Sequence, residues 1–577
     1  MRIFGKMKRG WALLLINICV FYTASSYPLF LKATIPTPQN YSVLQGFTSP
    51  KTKPLNIYIH SNISISQTLH SHSSSEKNPA IHPILSLHKY PSPKKTTLED
   101  SLFVDTSNGE TPLSYYLNNW RKSIRCLIQD SADFIGLPHP YSTPTLAGNK
   151  LFREMYYWDT YFINVGLLAL AEKGNLKDSF FMQAKNNCDN LIYLVERFGF
   201  VPNANRFSMT NRSQPPFLSA MVSEIYPYLQ DTVWLKRALN AAVKEHSWWM
   251  KNRFQPFHTL VEVSSKKQYK NALFCDPTGQ PMYGLNHYGH NADSVFIKKF
   301  SHFLKQRLGK PFAHLSDSLD HMNRYAAKIL SGNMLAEAES GWDFTPRFNA
   351  HCYDVAAIDL NCLLFQSEQN ISKFYSLLGE KAASKAWQKT ANYRKKMIYS
   401  FMYNSETGLF YDFAFSGAKQ LQGLHAAQFF PYFVGLATQN IKTRVALLSH
   451  SQRFMGAGGV QTLLRSGQDS AQNRVIWNTQ WNQPNAWPCL TYIVSEGIQN
   501  YEGIFNKQQK ELSEIRFRIN QNYLKTVESQ FSKTGKFWEK YNAHNGSISV
   551  VNEYEMPAFF GWTAGIYSYY FKQYIGP

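Results

Sequence analysis

The chain has 577 residues and a mass of 66.4 kDa, enough for one large domain or several average ones with a sizeable core. Its 44% hydrophobic and 17% charged residues exclude a wholly disordered protein, and the 15% aromatic content is high, supplying rings for cores and for stacking on sugar faces. A formal charge of +21 invites a nucleic-acid reading, but no Arg-rich arm, zinc-ligand spacing or aromatic RNP-type strand accompanies it, so no nucleic-acid partner is expected.

In chain order, Arg2, Lys6, Lys8 and Arg9 precede an apolar run over residues 11–22 and the small residues Ala24, Ser25 and Ser26. This is the pattern of a signal peptide over residues 1–26, and it implies a periplasmic or secreted protein. The apolar run is shorter than the roughly 20 residues of a membrane span, so no stable span is expected after cleavage. Residues 27–105, rich in Ser, Pro, His and Thr, keep no helical or strand period and read as a low-complexity linker. The seven cysteines, at 19, 126, 188, 275, 352, 362 and 489, form no CxxC pair, and a disulfide or two is compatible with export.

From residue 106 to 577 the character changes to amphipathic stretches separated by Gly-, Pro- and Asn-bearing loops. About twelve helices are expected, arranged as an all-α toroid of paired helices, with VIWNTQW and ISVVNEY the only short strand candidates. The stretch MLAEAESGWDFTPRFNA suits a loop at a barrel mouth rather than a solenoid repeat. No repeat of fixed period, P-loop, Rossmann glycine pattern or Gly-x-Ser-x-Gly elbow occurs.

Four segments set acids among aromatic residues: FREMYYWDTYF, AESGWDFTPRF, FWEKYNAHNG and VNEYEMPAFFGWTAG. Such acids serve either as helix caps and ion-pair partners or as the paired carboxyls of glycoside hydrolysis, where one protonates the leaving oxygen and the other acts on carbon or water. Neighbouring aromatic rings both bind sugar faces and desolvate carboxyls.

The motifs then become specific. Phe152, Glu154, Tyr156, Trp158, Asp159 and Tyr161 stand at the spacing F-x-E-x-Y-x-W-D-x-Y, and Arg212-Ser213-Gln214-Pro215-Pro216 and Ser340-Gly341-Trp342-Asp343-Phe344 follow. Gln480-Trp481-Asn482-Gln483-Pro484, Glu539-Lys540-Tyr541-Asn542, and Glu553-Tyr554 with Phe560-Gly561-Trp562-Thr563-Ala564-Gly565 complete the series. In this order, across roughly residues 110–573, the chain resembles the trehalase family of inverting α-glycoside hydrolases. The resemblance implies an (α/α)6 barrel, hydrolysis of α,α-trehalose to two glucose molecules, a small-molecule disaccharide as partner, and no metal or organic cofactor. It also implies Asp343 as general acid and Glu539 as general base, with carboxyls about 6.5–9.5 Å apart. Phe152, Trp158, Asp159, Asn203, Arg212, Gln214, Gly341, Trp481 and Glu553 fall on its substrate-binding positions.

Departures from the family pattern cluster at the same places. Leu151 stands where the family has an arginine, Asn149-Lys150 where it has two glycines, and Asn482 and Asn542 where it has aspartates. In QPMYGLNHYGHNAD, Gly284 and Asn286 are aligned with an arginine and a glutamate. Lys150, Arg206, His287 and His290 are the nearby residues able to compensate. Without compensation, the expected alternatives are a hydrolase of another α-glucoside and a catalytically silent sugar-binding homologue.

Overall fold

The computed structural model describes residues 109–256, 284–307, 324–464, 479–504 and 509–575. The expected signal peptide and linker lie outside the described residues. Apart from Ser416–Ala418, the described residues belong to one unit.

The helices follow the hydrophobic periodicity closely. They are α1 (Pro112–Asn119), α2 (Tyr157–Leu170), α3 (Ser179–Phe198), α4 (Leu218–Leu229), α5 (Thr232–Asn252), α6 (Ser294–Arg307) and α7 (Arg324–Ser340). After them come α8 (Ile358–Leu377), α9 (Lys381–Phe401), α10 (Phe430–Phe433), α11 (Ile441–Phe454), α12 (Pro488–Glu502), α13 (Gln509–Thr534) and α14 (Gly561–Ile575). Local chemistry sets the boundaries: the Asp178 and Asp231 carboxylates accept from the first free N–H groups of α3 and α5, and Gly199 ends α3 at φ +87°.

Six helices form an inner ring in which each touches the next: α2, α4, α8, α10, α12 and α14, with α14 packing back on α2. Outer helices lie against them, α3 on α2 and α4, α5 on α4 and α8, α9 on α8, and α13 on α12 and α14. This is the expected (α/α)6 barrel, and the pair α6 and α7 is inserted between α5 and α8. The ring closes through glycine: a Cβ on Gly166 of α2 would stand 2.2 Å from the Gly565 Cα of α14. Only two residues without side chains allow the backbones to meet there.

The strands depart from expectation. Among the described residues they are two or three residues long and form two-stranded pairs and one three-stranded sheet. ISVVNEY forms no strand, touching the 541 backbone only through a bridge at Ile548. MLAEAES belongs to α7, so helix, not loop, leads directly into Gly341. Cys126, Cys188, Cys352, Cys362 and Cys489 are free thiols.

The helix packing also encloses carboxyls. Tyr161 donates to Glu224 at 3.0 Å, Tyr157 to Glu245 at 2.7 Å, Tyr569 to Glu496 at 2.9 Å and Tyr567 to Glu528 at 3.0 Å. Burial outweighs these hydrogen bonds, pushing Glu224 and Glu245 up to about 8 and Glu496 and Glu528 up to about 7. Burial acts oppositely on imidazoles, lowering His246 and His425 and bringing His287 to about 4 and His450 to about 3.

Two predictions follow from this packing. Gly166→Ala is expected to destabilise the barrel by about 1–3 kcal/mol, as overpacking against immovable backbone does, whereas Gly423→Ala, which would meet nothing within 4 Å, should change stability by under about 0.5 kcal/mol in thermal unfolding. For pH, the raised carboxyls bind protons more tightly folded than unfolded, so their contribution is full below about pH 4.5 and is lost as pH rises through 7–8. The buried imidazoles contribute above about pH 6.5, and that contribution is lost as pH falls toward 4 and 3. The slopes oppose each other between about pH 4.5 and 6.5, so the melting temperature should plateau there and fall on both sides, with Glu224→Gln and Glu245→Gln flattening the alkaline fall.

Candidate active site

The segments leading into the inner helices, with their first turns, carry the expected site residues. The first turn of α2 holds Trp158 and Asp159, and the loop before α4 holds Asn203, Arg212 and Gln214. Gly341 and Asp343 lie between α7 and α8, Trp481 before α12, and Glu539 and Glu553 before α14.

Backbone bonds tie these segments together. Tyr157 N–H donates to the Asn203 carbonyl at 3.1 Å, Asn203 N–H to the Arg212 carbonyl at 2.9 Å, and Trp158 N–H to Gln214 Oε1 at 3.1 Å. Arg212 donates Nη2 to Asn203 Oδ1 at 3.3 Å, while its Nε is buried with no hydrogen-bond partner among the described residues. Burial lowers the Arg212 pKa, and the nearby Asp343 charge works against that fall.

The floor is aromatic. Trp481 stacks on Trp487 at 3.8 Å, lies 5.5 Å from Trp342 and 5.6 Å from Trp158, and Trp562 stands edge-on to Trp158 at 6.1 Å. Gly341, at φ +76°, lets α7 end against the indole of Trp158, where a Cβ would stand 2.7 Å from ring carbons. Trp342 is held from below by Arg347, whose guanidinium lies 4.9 Å from the indole and makes paired bonds of 2.8 and 2.9 Å to both Asp359 and Asp412. Phe152, at φ +54°, presents its ring edge to Tyr554 at 5.3 Å and Phe560 at 5.4 Å.

The carboxyls converge over this floor. Glu539 is 1% exposed, accepts Lys540 Nζ at 2.8 Å on Oε2 and the Tyr554 hydroxyl on Oε1, and its carbonyl takes the Trp562 indole N–H at 2.9 Å. Asp343 is half-buried, and its carbonyl accepts Gln480 Nε2 at 3.1 Å. Glu553 Oε1 accepts the Phe344 N–H at 3.3 Å. Asp159 is held well above the usual carboxylate range by burial first, then by the charges of Glu539 and Asp343. The same electrostatics reach Tyr554, raised by burial and then by Glu539, Asp343 and Glu553. Asp343 and Glu539 thus act on the same two neighbours from opposite segments.

Other expected positions lie elsewhere. Gly284 and Asn286 form a strand paired with Phe254–Pro256. The buried Asn286 amide bonds to the Trp249 carbonyl at 3.1 Å and accepts Arg394 Nη1 at 2.9 Å, so these two residues are framework and do not replace pocket charges. Asn542 caps a turn, accepting the His544 N–H at 2.9 Å. Leu151 is 41% exposed. Of the possible compensators, Arg206 is committed to Glu154 at 2.6 Å, His287 is kept neutral by burial at neutral pH, and His290 Nδ1 accepts the Ala292 N–H. Lys540, Gln480, Tyr554 and Trp562 stand in the quoted motifs but were given no role there, although the first three are immediate neighbours of Glu539, Trp481 and Glu553.

A family model described as Trehalase matches residues 116–575. The periplasmic trehalase of Escherichia coli O8 (strain IAI1) is 28% identical over 439 residues, covering 74% of this chain and 68% of that protein. Among solved structures, the neutral trehalase Nth1 from Saccharomyces cerevisiae shares the fold with a TM-score of 0.53 at 22% identity, covering 74% of this chain and 72% of its own.

Gly341→Ala tests the floor. The added methyl has to displace Trp158 and adopt a left-handed backbone, so a loss of about 1–3 kcal/mol in denaturant unfolding is expected, with an altered near-UV dichroism of the tryptophan cluster.

Proposed function

The chain belongs to the trehalase family of glycoside hydrolases, and we propose on that premise that it hydrolyses α,α-trehalose by inversion, with Asp343 as general acid and Glu539 as general base. The observation that carries this reading is the contrast between two carboxyls sharing one pocket. Glu539 meets an ammonium and a phenol, which suits a group that must be anionic before it takes a proton. Asp343 acts on Asp159, Glu337 and Tyr554 alongside the Arg212 guanidinium, a largely acidic setting that suits a proton carrier.

In the proposed step, Asp343 gives its proton to the glycosidic oxygen as the bond from that oxygen to the anomeric carbon breaks. Glu539 removes a proton from a water on the opposite face, and the water oxygen bonds to the anomeric carbon. One β-glucose and one α-glucose result. Trp158, Trp481 and Phe152 supply ring faces and edges for the sugar, while Arg212, Asn203, Gln214, Asp159 and Glu553 are the polar groups for its hydroxyls. The open Nε of Arg212 supports a polar ligand at that wall.

A second reading concerns the other sugar ring. Because Arg206 and His287 do not replace the charge that Leu151 lacks, an α-glucoside with a different leaving group also fits this pocket. A periplasmic or secreted location is proposed from the basic, apolar and small-residue pattern of residues 1–26, together with the periplasmic name of the relatives. No helix of the described residues is long and apolar enough to cross a membrane.

Glucose release from trehalose, maltose and sucrose is the test, with proton NMR of the first products. Equal α- and β-glucose from trehalose is expected, and Asp343→Asn and Glu539→Gln should each lower kcat by at least about 10²-fold. Products that are all α, or full activity in either variant, would refute the assignment; cleavage of only another glucoside would move the specificity to the second reading.

A further inference from the structure

The residue after Glu539 is a lysine with no exposed surface. Its ammonium lies 2.8 Å from Glu539 Oε2 and 3.3 Å from Gln480 Oε1, with the Trp487 ring centre at 4.7 Å and that of Tyr554 at 5.5 Å. Stability alone is a weak reason for such a pair, since desolvating both charges costs several kcal/mol and apolar replacements of buried pairs are often neutral or stabilising. The connections of this lysine point to another use. Gln480, which accepts from Lys540, donates Nε2 to the Asp343 carbonyl at 3.1 Å. A continuous line of hydrogen bonds therefore runs from the Glu539 carboxylate through Lys540 and Gln480 to the backbone of Asp343. Tyr554 takes the remaining carboxylate oxygen, so donors on both oxygens fix the plane of the group.

We propose that Lys540 is a positioning residue of the hydrolytic reaction: it orients the Glu539 carboxylate toward the attacking water and, through Gln480, sets the spacing between the Glu539 and Asp343 segments. The inference rests on the assignment of Glu539 as base. During the step the water O–H bond breaks, the proton goes to Glu539, the oxygen bonds to the anomeric carbon, and Lys540 keeps its own protons throughout. The ammonium acts on geometry and charge, and touches neither sugar nor water.

α-Glucosyl fluoride separates this role from others, because fluoride leaves with little help from an acid and its hydrolysis reports the base. With the full chain, Lys540→Met is expected to lower kcat on the fluoride by about 10²-fold with KM changed less than about threefold. Combined with Glu539→Gln, it should lower kcat no further than Glu539→Gln does alone, since a residue acting through another gives non-additive losses. Thermal unfolding checks that the variants fold. If Lys540→Met does not, Lys540→Gln, which keeps a donor on a chain one carbon shorter and carries no charge, has the same expectation of a kcat loss. A folded Lys540 variant with wild-type kcat, a loss confined to KM, or losses that multiply with Glu539→Gln would overturn the proposal while leaving the hydrolase reading intact. A wild-type protein that cleaves neither fluoride nor trehalose would overturn both.

Discussion

The contact of Gly166 with Gly565 is the constraint on which the rest of the molecule depends. It joins the first inner helix to the last at backbone distance, and α14 can lie flat on α2 only because neither residue has a side chain there. Its consequence appears at the barrel mouth a few turns away. Trp562, in the first turn of α14, faces the Trp158 ring and holds the Glu539 carbonyl. A looser closure would move the whole 535–560 segment away from α2. Residues from the two ends of the domain share one pocket because the ring closes tightly.

Closure also explains how so many carboxyls coexist in one place. Asp159, Asp343, Glu539 and Glu553 come from four different segments, and their mutual repulsion in a low-dielectric site has to be met by cations and donors that the framework holds fixed. Lys540, Tyr554 and the Phe344 N–H meet part of it. Burial with like charges raises Asp159 well above the usual carboxylate range, which relieves more. The aromatic floor contributes packing with no charge to solvate, and Arg347 stabilises it from below with two carboxylates of its own.

Much of this was legible in the sequence, for identifiable reasons. Inner and outer helices show up as amphipathic runs, and Asp343 and Glu539 stand in motifs whose residue order is rare by chance. What stayed hidden was hidden by physics. A strand of three residues spans little more than one period of alternation, so Gly284 to Asn286 could not be recognised as a framework strand, and a buried amide looks the same in a sequence whether it binds a sugar or Arg394. α7 runs straight into Ser340 because Ala and Glu extend a helix well, while the following glycine suggested a loop too early. The pairing of Glu539 with Lys540 was invisible for a different reason. Neighbouring residues in regular structure do not face each other, and only the irregular backbone here turns both side chains to one side.

The sites of departure from the family pattern have a physical logic of their own. Asn203, Gln214 and Gly341 carry framework bonds or close approaches. Changing one costs stability. The Leu151 side chain carries no such duty. It is exposed, and the framework bonds of this stretch run through the Leu151 backbone, whose N–H donates to Asn149 Oδ1 and whose carbonyl accepts the buried Thr145 hydroxyl. Substitution of the Leu151 side chain therefore costs the fold little. On the proposed function, recognition of the second sugar can change readily at this position, because the barrel does not depend on its side chain.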